Sequence, residues 1–425
     1  MFAPYHITHL DLHQPPAHAQ PAPPPRQGQY LVFWWQEIAL GHLFIEPGQV
    51  LSAEAYATAR QAAIAPAVAH YAAQAPAAAG GAGAGAQWLA QGDFARWDAW
   101  LATILAPYLA APLPAQVPVS VVICTRGRAE MLRRCLQMLQ ALPCTAAEIV
   151  VVDNAPTDTS TREVAAEFAG VVYVCEPRPG LDVARNTGIR AAKYPVLAFV
   201  DDDVVVHPRL LYTVWEAFED PHTAALTGLV LTLKLQTEAQ LIFEQYWSFN
   251  RGYVDKAYTP AYVQPATSPA PPVWEIGAGA NMAFRKAIFD EVGYFDERLD
   301  AGAAGCNGDS EMWYRILLHG HTIRYNPRAI AHHEHRRELA GLKHQLFQYM
   351  RGHAAAALIQ QAQQPQAGYR QYLYRKLPQH YYYLLRTGFP FFRSRSRTIW
   401  AELRGLASGV AFYYRHQHQP AEPRP

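Results

Sequence analysis

The sequence is poor in cysteine, with five in 425 residues and none spaced as a CxxC pair. An odd count in such a chain predicts reduced thiols that serve packing, rather than disulfides or a structural zinc site. Long apolar runs are also missing, since no stretch reaches the ~18 to 20 residues that span a bilayer. The proline-rich start lacks the apolar core of a signal peptide. These absences predict a cytoplasmic protein, associated at most peripherally with the inner face of the cell membrane, and we expect no nucleic-acid partner.

Three consecutive acids, Asp201, Asp202 and Asp203, directly follow the apolar run at 196–200. Unpaired carboxylates at the end of a buried strand are costly, so a positive partner is expected beside them. Carboxylates suit a hard divalent cation such as Mg²⁺ or Mn²⁺, which in turn commonly holds a diphosphate. The alternative is a solvated strand end whose acids cap the next helix.

Two upstream segments repeat this arrangement of an apolar run that stops at polar residues. The run at 119–124 stops at Thr125, and the run at 149–152 stops at Asp153. Helical spacing of apolar residues between the runs predicts βαβ units with a parallel sheet. Because ligands bind beyond the carboxyl ends of such strands, Thr125, Asp153 and Asp201 should converge on one crevice.

Eight segments together carry a resemblance to a known family. In chain order they are VSVVICTRGR (119–128), VVDNAPTDTS (151–160), PRPGLDVARNTGI (177–189), AFVDDDV (198–204), GAGANMAFRK (277–286), GYFDERL (293–299), GDSEMWYRILLHGH (308–321) and HHEHRR (332–337). With them, residues 117–337 resemble a family 2 glycosyltransferase of the GT-A fold. The resemblance implies inverting, metal-dependent transfer of a sugar from a nucleotide-diphosphate donor to a hydroxyl of a glycan, a lipid-linked acceptor or another polymer precursor. A sugar-phosphate nucleotidyltransferase and a noncatalytic nucleotide-sugar or glycan-binding protein remain alternatives.

The resemblance also implies which residues hold the donor. They are Thr125, Arg128, Asp153, Arg185, Asn186, Asp201 and Asp202. Asp153 at a strand end can accept hydrogen bonds from a base or ribose, and Arg185 can bind two phosphate oxygens at once. Asp202 points the opposite way from its neighbours in an extended chain, so it serves the ribose or a helix terminus instead. Without the resemblance, Asp153 reads as a turn residue and Arg185 as a surface charge.

The metal ligands implied by the resemblance come from two motifs. The DxD pattern maps onto Asp201 and Asp203, and the HxH pattern maps onto His333 and His335. A site of carboxylates and imidazole accepts Mn²⁺ or Mg²⁺, with imidazole favouring Mn²⁺. The alternative for the histidines is a basic loop over the diphosphate.

The general base implied by the resemblance is Asp309, at the start of a predicted helix. The chain departs from the family's ED motif because Gly308 stands where the first acid is expected. Asp309 could instead be only a helix cap. The resemblance also implies that Gly279, Ala280 and Asn281 lie at the donor-sugar and acceptor side, in a segment whose small residues allow the backbone to approach a ligand closely.

The remaining sequence predicts accessory regions around an α/β, Rossmann-like sheet that is mainly parallel and flanked by helices. The predicted regions are a disordered lead (1–29), a small α+β module (30–74), an Ala/Gly linker (75–87), a connecting helix (88–116), the GT-A domain (117–337) and a helical basic and aromatic extension (338–425). Residues 366–425 contain ten Lys or Arg and two Glu, a net charge of +8 against +1 for the whole chain. This asymmetry, with its aromatic residues, suits peripheral contact with an anionic membrane. A helical tail that packs on the catalytic domain is the alternative.

Overall fold

The computed structural model describes residues 2–14, 19–22, 25–75, 81–266, 269–391 and 393–420. Its strands are β1 (Tyr5–Asp11), β2 (Gly28–Trp35), β3 (Ile38–Ile45), β4 (Gln116–Thr125), β5 (Thr145–Asn154), β6 (Val171–Glu176), β7 (Val196–Val200), β8 (Val204–Val206), β9 (Thr223–Thr232), β10 (Lys256–Tyr258), β11 (Asn281–Arg285) and β12 (Thr322–His333). Its helices are α1 (Ala53–Gln74), α2 (Ala82–Gln91), α3 (Phe94–Leu105), α4 (Ala129–Gln140), α5 (Ser160–Ala166), α6 (Leu181–Ala191), α7 (Leu210–Ala217), α8 (Glu238–Trp247), α9 (Ile288–Val292), α10 (Gly308–Leu318), α11 (Leu339–Gln363), α12 (Tyr369–Gln371), α13 (Leu377–Phe391) and α14 (Arg393–His416).

The central sheet has the order β10-β12-β9-β11-β7-β4-β5-β6, and β8 also pairs with β12. Strands β4, β5, β6 and β7 are parallel, as are β9 and β12, whereas β11 runs antiparallel between β7 and β9. The prediction of a mainly parallel α/β sheet flanked by helices is therefore confirmed. Its strands β4, β5 and β7 all end at the edge where the polar residues of the motifs follow them.

Both faces of the central sheet are buried, which explains the near-continuous apolar runs of its strands. Side chains alternate between the faces, so that Val122 and Val152 pack with Trp313 of α10. Their neighbours Val121 and Val151 pack on the opposite side with α4 and α7. Apolar packing on both faces of the sheet thus fixes the positions of the flanking helices relative to the strand ends.

The N-terminal region forms a second, three-stranded sheet of order β1-β2-β3. The prediction of a disordered lead is wrong for 5–11, because β1 pairs in parallel with β2 and the Tyr5 backbone N–H donates to the Leu235 carbonyl at 2.8 Å. Parts of that lead, residues 1, 15–18 and 23–24, lie outside the described residues. The two predicted strands of the module and its Ala-rich helix are present as β2, β3 and α1.

The predicted linker and connecting helix are also corrected. Residues 82–87 belong to helix α2, where Gly85 lies against the Trp100 ring, and residues 76–80 lie outside the described part. The single helix predicted at 88–116 is broken because Gly92 adopts a left-handed conformation with φ of 73°. Asp93 then caps α3 by accepting from the Arg96 N–H at 3.2 Å. The module's apolar core continues into Leu229 of the central sheet.

The C-terminal extension is helical, as predicted, and α14 packs along α11. Close approach is possible because Gly405 and Gly409 face the α11 backbone, where a Cβ would lie 2.4 Å from the Phe347 carbonyl oxygen and 2.1 Å from that of Arg351. This contact fixes α11, one wall of the cavity described below. None of the helices in the described ranges combines the length and apolar character needed to cross a membrane.

Candidate active site

A large cavity of about 1330 Å³ opens at the carboxyl edge of the central sheet. Its wall includes Thr125, Arg185, Asp201 and Asp309, which are separated by up to 184 positions in the chain. The register places Thr125 of β4 directly beside Asp153 of β5. Thr125 and Asp201 therefore reach one cavity as predicted, whereas Asp153 is buried beside Thr125 and does not line it.

The acidic corner after β7 is organised by the first loop. The Thr125 hydroxyl donates to Asp202 Oδ2 at 2.7 Å. One Arg128 nitrogen donates to Asp202 Oδ1 at 2.9 Å and to Asp203 Oδ2 at 3.1 Å. Asp202 therefore connects the strand ends to each other, whereas Asp203 keeps an oxygen toward the cavity side.

The acidic corner consists of Asp201, Asp202 and Asp203, and Asp201 is the member whose charge interacts most strongly with Arg185. Burial raises the pKa of Asp201 to about 7, Arg185 opposes the shift, and the neighbouring Asp203 and Asp202 add to it. By formal charge, the corner has three carboxylates, Asp201, Asp202 and Asp203, beside two guanidinium groups, those of Arg128 and Arg185. Such a site favours a bound cation.

Arg185 is held by a carboxylate on its own helix. Its Nη1 donates to Asp182 Oδ1 at 2.9 Å, and both side chains are more than nine-tenths buried. Burial raises the pKa of Asp182 to about 7, with Arg185 acting in the opposite direction. The start of α6 is fixed from outside, since Asp300 accepts from the backbone N–H groups of Leu181, Asp182 and Val183 at 2.6, 2.8 and 3.1 Å.

The glycine that replaces the expected acid at position 308 has a structural explanation. A Cβ at Gly308 would lie 2.0 Å from Asp182 Oδ2, so the Asp182 carboxylate occupies the space beside this position. An acid is therefore present next to Asp309, although it comes from α6 rather than α10. Sequence reasoning missed Asp182 even though it lies within the motif quoted at 177–189.

Asp309 and Arg185 both border the space beside Gly279. A Cβ at Gly279 would lie 2.9 Å from Arg185 Nη2 and 3.0 Å from Asp309 Oδ2. The other oxygen of Asp309 accepts from the Ser310 N–H at 2.7 Å, which fixes the carboxylate in the first turn of α10. The absence of a side chain at Gly279 thus lets a carboxylate and a guanidinium approach the same part of the cavity wall. Ala280 also lines the cavity.

The two histidines of the HxH pattern have different positions. His333 lines the cavity, and its Nε2 lies 3.9 Å from Asp203 Oδ1. His335 is 3% exposed and its Nε2 lies 2.9 Å from Oε2 of the buried Glu244. The prediction that His335 ligates the metal directly does not fit this arrangement, because its Nε2 contacts Glu244, its Nδ1 faces His333, and it does not line the cavity.

The remaining ligand set fits an open cation site. Across the described residues, no group of three or more His, Cys, Asp and Glu side chains is arranged to hold a metal ion alone. Asp203 and His333 are nevertheless close enough for one ion to contact both, with Asp201 beside them. Hard cations that bind substrate phosphates commonly use one or two carboxylates and take their other ligands from phosphate and water.

Three further predicted residues do not line the cavity. Asp153 is fully buried, and its Oδ2 accepts from the Tyr173 hydroxyl at 2.9 Å, whereas the following Asn154 reaches the wall. Asn186 is turned about 100° from Arg185 on the helix and binds the backbone of Phe295.

Asn281 likewise contacts backbone rather than open space. Its Nδ2 donates to the carbonyls of Leu229 and Ala329 at 3.2 and 2.9 Å, which ties β11 to β9 and to the irregular part of β12. The structural role of Asn281 could not be predicted from its place in the motif, because the two carbonyls come from distant segments of the chain.

An aromatic and polar wall from the C-terminal region was not predicted. Trp274 lies 4.6 Å from the His353 ring and 5.8 Å from the Tyr372 ring, measured between centroids. In the described part of the chain, Oε1 of Gln345, Oε1 of Gln348 and Nε2 of His353 are buried without a hydrogen-bond partner. Buried polar atoms of this kind call for a partner, such as a ligand or water.

Comparisons with known proteins agree with the motifs. The family model described as "Glycosyltransferase like family 2" matches residues 114–352, more than half of the chain. A pre-mycofactocin glycosyltransferase of Mycobacterium tuberculosis (strain CDC 1551 / Oshkosh) is 28% identical over 227 residues, which cover 53% of this chain and 44% of the relative. A validoxylamine A glucosyltransferase of Streptomyces hygroscopicus subsp. jinggangensis is 38% identical over 112 residues, covering 25% of this chain and 26% of the relative. The chain thus spans less than half the length of these curated relatives.

Among solved structures, the chain is similar to the mannosyltransferase PcManGT from Pyrobaculum calidifontis, determined in complex with GDP-Man and Mn²⁺. The identity is 16%, the TM-score is 0.43, and the match covers 72% of this chain and 92% of that chain. S. aureus TarS 1-349 gives a TM-score of 0.40 at 15% identity, with 71% and 92% covered.

Proposed function

Since the chain belongs to glycosyltransferase-like family 2, we propose that it moves a sugar from a nucleotide-diphosphate donor to an acceptor hydroxyl, with inversion at the sugar carbon. The observation that carries this proposal is the placement of Asp309 and Arg185 beside Gly279, in the same cavity as Asp201, Asp202 and Asp203. A carboxylate for the acceptor and cationic groups for the diphosphate are thus available on one wall.

The donor diphosphate is proposed to lie between Arg185, Arg128 and the acidic corner. Arg185 is fixed by Asp182 before substrate arrives, so little side-chain entropy is lost when it binds phosphate. Arg128 now pairs with Asp202 and Asp203. We expect a bound cation to relieve this pairing and leave the guanidinium available to the nucleotide.

Asp201, Asp203 and His333 are the residues proposed to hold the divalent cation, either Mn²⁺ or Mg²⁺. When bound, such an ion stabilises the negative charge that the departing nucleoside diphosphate gains, so no acid need protonate the leaving group. His333 is suited to this role because burial lowers its pKa to about 4, and the neutral ring has a lone pair available.

Asp309 is the proposed general base. Its carboxylate takes the proton from the acceptor hydroxyl while that oxygen forms a bond to the anomeric carbon. The bond from this carbon to the phosphate oxygen breaks, and the nucleoside diphosphate leaves with the bonding electron pair.

The acceptor is proposed to be a glycan or a lipid-linked saccharide that lies against the C-terminal wall. Trp274 and Tyr372 offer aromatic faces, while Gln345, Gln348 and His353 offer unpartnered polar atoms in the described structure. Burial lowers the pKa of His353 to about 4, so its ring is neutral at pH 7 and one ring nitrogen can accept a hydrogen bond from a sugar hydroxyl. Sugar rings combine an apolar face with hydroxyl groups at the edge, which matches this wall.

The proposal is tested by incubating the protein with UDP-, GDP- and dTDP-sugars, Mn²⁺ and a panel of glycan acceptors. We expect release of nucleoside diphosphate that depends on the acceptor and stops when the cation is removed by a chelator. Release of pyrophosphate would indicate a nucleotidyltransferase instead. Donor binding without any product, across a panel that includes lipid-linked acceptors, would indicate a noncatalytic binding protein.

The C-terminal extension is proposed to contact the anionic inner face of the cell membrane. One side of α14 packs on α11, but Tyr382, Tyr383 and Trp400 are 67%, 61% and 68% exposed, in a segment that carries a net charge of +8. Exposed aromatic residues among arginines suit a membrane interface. We expect the protein to sediment with anionic but not with neutral liposomes. A triple Ser variant at these three positions that sediments as well as the wild type would contradict the proposal.

A further inference from the structure

A buried carboxylate on α8 contacts the histidine that does not reach the acidic corner. Glu244 Oε2 lies 2.9 Å from His335 Nε2, and these residues are separated by 91 positions in the chain. Glu244 is 6% exposed and His335 is 3% exposed. The His335 ring lies 4.4 Å from the Phe243 ring, and the Ser248 hydroxyl donates to the other Glu244 oxygen, Oε1, at 3.1 Å. A buried carboxylate in such surroundings needs a donor, and the imidazole N–H supplies it.

Helix α8 contacts both the backbone and the side chain of His335. Gln240 forms a capping box with Thr237 at the start of the helix. The same Gln240 donates from Nε2 to the His335 backbone carbonyl at 3.2 Å. One turn later, Glu244 meets the ring of His335. The backbone and the side chain of His335 are thus both fixed by one rigid element.

The second nitrogen of His335 faces the cavity histidine. Nδ1 of His335 and Nδ1 of His333 lie 3.3 Å apart, so one of them carries the proton that joins them. A carboxylate only accepts hydrogen bonds, so His335 donates to Glu244 from Nε2. In a neutral His335 ring, Nδ1 is then bare and accepts from His333. His333 carries its proton on Nδ1, and its Nε2 is left with a lone pair.

That lone pair lies at the acidic corner, since His333 Nε2 is 3.9 Å from Asp203 Oδ1. We propose that Glu244 and His335 form a proton relay that fixes the tautomer of His333, so that its Nε2 is presented to the divalent cation. Glu244 and His335 are positioning residues in this account and do not touch the ion. The inference deepens the proposed function, on which it rests for the identity of the ligand.

Binding of Mn²⁺ tests the relay without any turnover. Free Mn²⁺ is measured by electron paramagnetic resonance in titrations of the full chain, alone and with UDP or GDP. Removing a hydrogen-bond partner that orients a ligating histidine typically weakens metal affinity about 10- to 100-fold. We expect a loss of about this size for Glu244→Leu and a smaller loss for Glu244→Gln, because the glutamine amide oxygen can still accept from His335 Nε2. Glu238→Gln is the matched control, since Glu238 lies on the same helix and pairs with Arg397 at the surface.

A double-variant cycle separates the relay from a general loss of structure. If Glu244 acts through His333, then Glu244→Leu should add nothing to the loss caused by His333→Ala. An equal further loss in the His333→Ala background, or wild-type affinity in Glu244→Leu, would overturn the proposal. Thermal melts of each variant establish that all titrations are made on folded protein.

Histidine tautomers report on the relay in the metal-free protein. Long-range ¹H–¹⁵N spectra of ¹⁵N-histidine-labelled protein distinguish a ring protonated at Nδ1 from one protonated at Nε2, and His333→Ala assigns the signal. We expect the Nδ1–H form for His333 and the Nε2–H form for His335, with both reversed in Glu244→Leu. An Nε2–H form of His333 in the wild type would refute the relay. Absence of Mn²⁺ binding by a wild type with the expected tautomers would refute the proposed cation and not the relay.

Discussion

Replacing Gly279 by alanine tests whether the reacting centre lies between Arg185 and Asp309. The added Cβ would lie 2.9 Å from Arg185 Nη2 and 3.0 Å from Asp309 Oδ2. Ordinary van der Waals contacts of a Cβ are about 3.4 to 4.0 Å, so each of the two groups must move away from the added Cβ by roughly 0.5 to 1 Å. The backbone of Gly279 is outside the left-handed region, so alanine introduces crowding without backbone strain.

The expected effect is large on turnover and moderate on stability. A displacement of about 1 Å in a catalytic group can cost about 10²-fold, so we expect kcat/KM to fall about 10- to 100-fold. Overpacking of this kind costs about 1 to 3 kcal/mol in the free energy of unfolding. The assays are steady-state release of nucleoside diphosphate and urea unfolding of the same preparations.

Gly302→Ala is the matched control, because Gly302 lines the same cavity and its Cβ would meet only the Pro179 carbonyl oxygen, at 3.9 Å. We expect this variant to keep wild-type kcat/KM and stability. Wild-type kcat/KM in Gly279→Ala would refute the placement of the chemistry between Arg185 and Asp309. Equal losses in both glycine variants would refute it as well.

Two further predictions concern helix α6, which carries Arg185. Asp300→Ala removes the acceptor of three N–H groups at the start of α6, so we expect a loss of about 0.5 to 2 kcal/mol in urea unfolding and a higher donor KM, with a smaller effect for Asp300→Asn. Because burial raises the pKa of Asp182 to about 7, the folded state binds a proton there that the unfolded state has lost above pH ~4. The free energy of unfolding contributed by this group should therefore fall as the pH rises from about 4 to about 7. In urea unfolding, Asp182→Asn should weaken this pH dependence, and an unchanged dependence would contradict the assignment.

The central sheet and the residues Thr125, Asp201 and Gly279 of the cavity wall could be predicted from the sequence, because these predictions depend on local patterns. Buried strands that end in polar residues predicted the convergence of Thr125 and Asp201, and a small residue predicted close approach at Gly279. These inferences need only the direction of parallel strands and the size of a side chain. They required no knowledge of which distant segments pack together.

The corrected details depend on tertiary contacts that local patterns do not contain. His335 and Glu244 meet from different elements, and Asp182 occupies the space beside Gly308 only because α6 and α10 pack together. The proline-rich composition of residues 1–29 predicts disorder, yet β1 within this segment pairs with β2. Composition indicates whether a segment would be ordered by itself, but the order of β1 comes from its backbone pairing with β2.

The most direct test of the central claim is the turnover of Asp309→Asn beside its affinity for the donor. Asparagine keeps an oxygen that can accept from the Ser310 N–H, so the first turn of α10 should be preserved. Loss of a general base lowers rates by about 10² to 10⁴-fold. The account predicts a loss in this range with nucleotide-sugar affinity unchanged in a calorimetric titration. Turnover at the wild-type rate would contradict it.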